Sequence, residues 1–358
     1  MNTVNKKENY INESKNNKNK IQNEDRLGKK NKAIKRTLSF VIISIMLIML
    51  FFISVNIGSV KVGFIQLMKG MFSGTNETLL TILDLRFPRI IISILAGGAI
   101  AVSGVLFQAV LKNPLADPGI IGISSGAGFT AVIITAIAPS LFFFTPLFAF
   151  IGGVLAFALV YSLSWKGGLS PLRIILVGVA VNAMFQGLSR GLNSMSCGNT
   201  SGVASIVNGN ITMKTWEDVK MLVPYVIVGL ILAMILTKMC NLLSLEDKTA
   251  RGLGIDVNKS RIIISMVAVL LASISTAVVG VVSFLGLIVP HIGRILVGSN
   301  HKVLIPFSGL LGAFTFLLAD TLGRTIAAPF EIPASIIMCV VGGPFFIFLL
   351  RRSSKYGK

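Results

Sequence analysis

The chain has 358 residues, of which 53% are hydrophobic and 13% are charged, and its mean hydropathy is +0.81. Soluble domains carry about 25% charged residues, so this composition excludes an ordinary soluble enzyme or binding module. The net charge of +19 does not indicate nucleic acid as a partner. Many of the basic residues lie in residues 1–37, a Lys- and Asn-rich segment without periodicity or interleaved aromatic residues.

The segment 1–37 is predicted to be a disordered cytoplasmic tail that contacts anionic membrane lipid. An apolar run follows at Leu38–Val55. This run is too long for the hydrophobic region of a typical signal peptide, and no convincing cleavage site accompanies it. We therefore interpret it as the first span of a transmembrane permease domain at 38–351, which a short cytoplasmic tail follows at 352–358.

Repeated apolar runs, several of them close to the 20 residues that a bilayer-crossing helix needs, predict the fold class. The runs do not alternate polar and apolar residues, so helices are expected and not the strands of a barrel. The chain is predicted to be an all-α, polytopic membrane protein with ten transmembrane helices. The predicted spans are 38–57, 90–111, 118–138, 144–164, 171–190, 219–238, 261–280, 282–298, 303–321 and 332–350.

The distribution of basic residues predicts the orientation of these spans. Most of the 33 Lys and Arg residues fall in segments that are cytoplasmic if the N-terminus is cytoplasmic. With an even number of spans, both termini are then expected on the cytoplasmic side of the cell membrane. Arg86, Arg89 and Arg324 fall on the outer side, against this trend.

Arg86 and Arg89 flank Pro88 at the start of a span, where the helix dipole disfavours cations. Their positions therefore violate both the preference of the helix dipole and the tendency of basic residues to lie on the cytoplasmic side, and such violations cluster at functional sites. We predict that these arginines dock an acidic partner outside the cell; anchoring to lipid headgroups is the alternative. Arg324 is weaker evidence alone, because it follows Asp320 by four residues at a helix end that favours cations.

Asn113-Pro114 is expected to end the second span, since proline cannot donate an amide hydrogen bond and restricts the residue before it. Asp117 is predicted to be the N-cap of the next span, with Pro118 at its first helical position. An ion-coupled secondary transporter would usually need carboxylates near the midplane of the membrane, and the predicted positions of Asp117 and Asp320 near helix ends argue against that class.

Two further segments have polar patterns that suggest a function. Residues 244–254 are predicted to form a short amphipathic helix on the cytoplasmic face, capped by Ser244, that fits a groove of a partner; a solvated connector is the alternative. Asn182 and Gln186, followed by Arg190, share one face of the fifth span. They either line a water-filled pathway or bond neighbouring helices.

No catalytic residue, cofactor or metal site is expected. The sequence lacks phosphate-binding glycine loops and the metalloprotease and nucleophile-elbow motifs, so any ATPase must be a separate chain. Cys197, Cys240 and Cys339 have no metal-ligand spacing.

Several motifs in a fixed order resemble the FecCD-type permeases, the membrane subunits of ABC importers for iron-siderophores, haem and cobalamin. Those motifs are Arg86-x-Pro-Arg89, Asn113-Pro-Leu-Ala-x-Pro-Gly119, Phe284-x-Gly-Leu-Ile-Val-Pro-His291, Ala319-Asp-x-x-x-Arg324 and Gly343-Pro-Phe-Phe346. The resemblance covers about 300 residues, everything after the basic tail.

The resemblance implies a cobalamin-permease-like fold and a dimer formed with a second permease copy or a paralogue. It implies a substrate-binding protein that docks on Arg86, Arg89 and Arg324, and a cytoplasmic ATPase subunit. The cargo it implies is a ferric siderophore or another iron chelate, with haem or cobalamin as alternatives. The residues implied in coupling to the ATPase are Leu245, Glu246, Ala250, Arg251, Leu253 and Gly254.

Overall fold

The computed structural model describes residues 32–57, 84–164, 171–195, 201–212 and 214–353, and the regular structure in these ranges is helical. We number the α-helices in chain order. They are α1 Lys32–Asn56, α2 Phe87–Leu111, α3 Ile123–Ile137, α4 Thr145–Ser164, α5 Pro171–Met195, α6 Ser201–Asn208, α7 Trp216–Ile235, α8 Thr237–Leu243, α9 Asp247–Gly252, α10 Val257–Val279, α11 Leu285–Val297, α12 His301–Ile326 and α13 Ala334–Ser353.

All ten predicted spans coincide with helices in the described ranges. Eight apolar helices are long enough to cross a membrane, and the shorter apolar helices α3 and α11 complete the set. Helix α1 begins at Lys32, six residues before the predicted start of the first span at residue 38. Lys and Arg are good helix formers, so residues 32–37 extend the helix, whereas the rest of the predicted tail lies outside the described residues.

Helix α2 lies at the centre of the packing, and 83% of its most apolar stretch is buried. Its glycines lie directly against glycines of other helices: Gly97 faces Gly312 of α12, and Gly104 faces Gly286 of α11. Small residues let helix backbones approach closely. Such close packing matters in a bilayer, because the lipid tails are as apolar as the side chains and the hydrophobic effect does not drive helices together there. The small-residue composition of α2 therefore determines how closely α11 and α12 pack.

Helix α3 starts later than the sequence suggested. Residues 118–122 form turns, and α3 begins at Ile123 after Gly122, whose φ is +89°. Asp117 still acts as a cap, but of this turn: its Oδ1 accepts hydrogen bonds from the amides of Gly119 at 2.9 Å and Ile120 at 3.0 Å. The prediction that Asp117 caps the helix itself was wrong, because left-handed Gly122 separates the turn from α3.

The two ends of α2 define two faces of the protein. At its N-terminal end the Arg86 guanidinium donates to the carbonyl of Val55, whereas at its C-terminal end Lys112 contacts Asp247. A 25-residue helix is roughly 37 Å long, which exceeds the ~30 Å hydrocarbon core of a bilayer. The contacts at the two ends of α2 therefore lie at opposite ends of a helix that is long enough to cross a membrane.

Candidate functional site

Arg89 is the centre of a charged cluster at the N-terminal end of α2. Its Nη2 lies 2.8 Å and its Nε 3.0 Å from Oδ1 of Asp320 on α12, and both side chains are almost fully buried. Its Nη1 lies 2.8 Å from Oε2 of Glu331, in the connection between α12 and α13. One guanidinium thus ties α2 to two segments that are more than 200 residues away in sequence.

Arg324 completes the cluster from one turn further along α12. Its Nε lies 3.3 Å from Oδ2 of Asp320, and its Nη1 donates to the carbonyl of Ser54 at 3.3 Å. Its Nη2 donates to the Ser54 hydroxyl. Asp320 therefore sits between two guanidinium groups, and this shared carboxylate offsets the like-charge repulsion between them.

Glu331 is the most accessible carboxylate of the cluster, with 37% of its side chain exposed. The Thr212 hydroxyl donates to the same Oε2 at 2.7 Å. Partial burial raises the pKa of Glu331, but the hydrogen bonds from Thr212 and Arg89 and the charge of Arg89 outweigh it and hold the pKa below its usual value. Glu331 therefore stays ionised at neutral pH.

The three arginines that the sequence singled out are thus brought together, and the positive charges of both Arg86 and Arg89 act on Arg324. The sequence analysis did not assign Glu331 to this cluster. No local pattern indicates its pairing with Arg89, which lies 242 residues away in the sequence. The result is a cluster of three arginines and two carboxylates in which Arg89, Arg324 and Asp320 are almost fully buried and Glu331 is accessible.

A cavity of about 180 Å³ lies beside α5. Gln186 lines it, and the Gln186 amide donates to Oδ1 of Asn182 at 3.1 Å on the same helix. Arg190 also lines the cavity, and its guanidinium makes no hydrogen bond or ion pair with any residue in the described ranges. Other lining residues are Ser125, Val132, Ser189, Val207, Ser283 and Cys339. The predicted polar face of α5 therefore borders an internal space with both apolar and polar walls.

The short helix that was predicted for the cytoplasmic face is present as α9, but it begins at Asp247 after Glu246. The prediction that Ser244 caps it was wrong, because the Ser244 hydroxyl donates to the carbonyl of Cys240. The helix ends at Gly252, and Gly254 adopts φ +82° in the turn that follows.

Asp247 anchors α9 to the rest of the fold. It lies 2.8 Å from Nζ of Lys112 and 3.1 Å from Nη2 of Arg261 on α10. The Lys112 hydrogen bond, with the charge and hydrogen bond of Arg261, holds the pKa of Asp247 below its usual value although slight burial opposes this. These two ion pairs connect the start of α9 to the residue after α2 and to α10.

Five of the six residues implied in coupling are exposed in the structure: Leu245, Glu246, Arg251, Leu253 and Gly254. Ala250 is buried and packs beneath the segment. Leu253 is 61% exposed.

Comparison with known proteins identifies the family. The sequence profile of the FecCD transport family matches residues 46–352. The chain belongs to the FecCD transport family. Among its relatives, the "Probable heme-iron transport system permease protein IsdF" of Staphylococcus aureus strain Newman is 41% identical over 321 residues, which cover 90% of this chain and 98% of the relative.

Solved structures agree with this membership. One, described as an inward-facing conformation of a metal-chelate type ABC transporter, has a TM-score of 0.71 and 27% identity, and the match covers 88% of this FecCD chain and 99% of the other. PsaBC from Streptococcus pneumoniae in complex with Fab shares the fold, with a TM-score of 0.53, 19% identity and coverage of 80% and 95%.

The resemblance read from the motifs and the all-α transmembrane fold are therefore confirmed. The chain is a multi-pass membrane permease of an ABC importer and not itself an enzyme. Its family implies a separate ATPase subunit and a substrate-binding protein as partners.

Proposed function

We propose that this permease imports an iron chelate across the cytoplasmic membrane, and that the chelate is haem. The observation that carries the proposal is the 41% identity, over 98% of its length, to a permease named for heme-iron transport. A ferric siderophore, the cargo predicted from the sequence, is the second candidate, because a structural relative is described as a metal-chelate type transporter.

The chemistry of the cavity beside α5 suits haem. Haem combines an apolar ring with carboxylates, and the cavity combines the apolar Val132 and Val207 with the amide of Gln186 and the guanidinium of Arg190. Arg190 offers a charge-assisted hydrogen bond to a carboxylate. We infer that the stripe of Asn182 and Gln186, extended by Arg190, lines the translocation pathway.

The cavity volume of about 180 Å³ falls below the range of about 300–1,000 Å³ typical of small-molecule sites. A second wall is therefore needed, and α5 and α13, which both border the cavity, have only 22% of their apolar stretches buried. We propose that a second permease copy, or a paralogue, packs against these two helices and closes the pathway. A two-fold dimer would then place two Arg190 side chains around one path.

The charged cluster at the N-terminal end of α2 is the proposed docking surface for the substrate-binding protein. Arg86, Arg89 and Arg324 supply the positive field, and acidic residues of the binding protein supply its complement. Because Asp320 is buried between two arginines, it stays in place on docking. The accessible Glu331 is the carboxylate that a docking partner would displace from Arg89 or approach beside it.

On the opposite face, the exposed residues of the 245–254 segment are the proposed contact with the ATPase. Asp247 links this segment to Lys112, which follows α2, and to Arg261 of α10, so closure of the ATPase would move these two helices. Alternating access then follows from a shift between inward-open and outward-open populations. This arrangement requires both termini on the cytoplasmic side, as the basic residues predict.

The cargo assignment is tested by uptake into proteoliposomes that contain the permease, its ATPase and its binding protein. We expect uptake of haem that requires ATP and is blocked by vanadate. Ferric siderophores and cobalamin serve as competing cargoes. Uptake of a siderophore without haem would select the second candidate, whereas haem uptake without ATP would contradict the importer mechanism.

Docking is tested by reversing one charge. Arg86→Glu should weaken binding of the substrate-binding protein by about 2–5 kcal/mol if the partner carboxylate is left buried and unpaired, and haem uptake should be abolished at unchanged protein level. Lys220→Glu is the matched control, since it makes the same charge change at an exposed position on the same predicted side. Equal uptake by the two variants would remove Arg86 from the docking surface.

A further inference from the structure

A second cavity, of about 260 Å³, lies at the C-terminal end of α2, on the face opposite the arginine cluster. It belongs neither to the proposed pathway nor to the proposed docking surface. Its polar lining consists of Gln108 of α2, Lys112 and Asn113 in the turn after α2, Ser244, Arg294 of α11, Ser299, and His301 of α12.

Arg294 brings an unneutralised charge to this cavity. Its Nη1 is buried, and no residue in the described part of the chain forms a hydrogen bond or ion pair with its guanidinium. The other cation, Lys112, is already matched by Asp247 at 2.8 Å. A buried charge without a partner costs free energy, and an ionisable residue inside a membrane protein is a functional candidate by default.

His301 contributes a hydrogen-bond acceptor. Its backbone amide donates to Oδ1 of Asn241 at 2.9 Å, so that oxygen is an acceptor, and the His301 Nδ1 that faces the same oxygen at 2.9 Å must carry the hydrogen. The neutral ring then presents a lone pair at Nε2. His301 is 4% exposed, and its Nε2 has no hydrogen-bond partner among the described residues.

Gln108 contributes a second acceptor. Its amide nitrogen donates to the carbonyls of Ala116 at 3.2 Å and Gly286 at 3.1 Å, which fixes the orientation of the amide. Its Oε1 is therefore an acceptor, and it is buried without a partner in the described ranges. The cavity thus presents a cation at Arg294 and two buried acceptors, at His301 and Gln108.

A ligand that satisfies these groups needs an anionic oxygen for Arg294 and O–H or N–H donors for the two acceptors. Water supplies donors but no charge, and a carboxylate at neutral pH supplies charge but no donor. We propose that this cavity binds a phosphate group that carries a hydrogen-bond donor. Free hydrogen phosphate and a lipid phosphoglycerol or phosphoethanolamine headgroup share this chemistry.

The first arm of the test uses the full-length permease, purified without phosphate in detergent, and sodium phosphate as the probe. We expect phosphate at neutral pH to raise the melting temperature more than sulfate does at equal ionic strength, because sulfate has no donor.

The second arm measures lipid retention by native mass spectrometry. Phosphatidylglycerol or phosphatidylethanolamine should be retained in preference to phosphatidylcholine, whose quaternary headgroup has no donor.

Stabilisation by phosphate alone identifies the free ion, and selective lipid retention identifies the headgroup; either result supports the proposal. Arg294→Gln should weaken the binding that is seen by roughly 10-fold or more, which is the effect of losing a hydrogen bond to a charged group. Ser299→Glu, at an exposed position on the lining, should weaken it through repulsion and decides the question if Arg294→Gln does not fold.

Lys302→Gln is the matched control, because it removes a neighbouring exposed cation that does not line the cavity. Its binding should equal that of the unmodified chain. The proposal is overturned if neither arm prefers the donor-bearing probe. It is also overturned if Ser299→Glu and a folded Arg294→Gln bind like the Lys302→Gln control.

Discussion

Replacing Asp320 with alanine should lower the free energy of unfolding of the permease by about 3–5 kcal/mol. The substitution leaves the guanidinium groups of Arg89 and Arg324 close together, each with a side chain only 7% exposed, without the carboxylate that both now contact. Breaking a buried ion pair costs more than the pair contributes, since an uncompensated charge stays in a poorly solvated site. Denaturant titration of the purified permease in micelles measures the change.

Glu331→Gln is the control for that experiment. It also removes a carboxylate from Arg89, at the same 2.8 Å distance, but this side chain is 37% exposed and water can replace it. The expected loss is therefore at most about 1 kcal/mol, as for other exposed ion pairs. Similar losses from Asp320→Ala and Glu331→Gln would show that burial does not determine the strength of this cluster.

The ten spans could be predicted because each depends on a local property, the length of an apolar run, which the bilayer selects directly. The arginine cluster was predicted in part for the same reason: Arg86 and Arg89 violate local rules where they stand. The start of α3 was not predicted, because the left-handed conformation of Gly122 is a property of the packed turn.

Contacts between distant parts of the chain could not be predicted from the sequence. The pairing of Arg89 with Glu331 joins residues that no periodicity or spacing connects. The cavity around Arg294 likewise depends on Gln108 and His301 arriving from two other helices. A sequence reveals which side chain is unusual for its position, whereas its partner is determined by how the helices pack.

Gly104→Ala should lower the free energy of unfolding by at least about 2 kcal/mol, although alanine is the better helix former. A methyl group at residue 104 would lie 2.0 Å from the carbonyl oxygen of Gly286 and 2.5 Å from its Cα, so α2 and α11 must move apart. That movement also lengthens the 3.1 Å hydrogen bond from Gln108 to the same carbonyl. Close helix packing and a buried hydrogen bond are therefore lost together.

Gly187→Ala is the matched control for this packing argument. Gly187 lies within α5, and in a single copy no atom of the described residues, apart from its chain neighbours and its own helix backbone, lies within 4 Å of the position that a methyl group would take there. Both substitutions gain the same helix propensity, about 0.5–1 kcal/mol, so their difference isolates the contact between α2 and α11. We expect Gly187→Ala to match or exceed the unmodified permease in melting temperature. Equal stability of the two variants would mean that Gly104 is not required for the approach of α11 to α2.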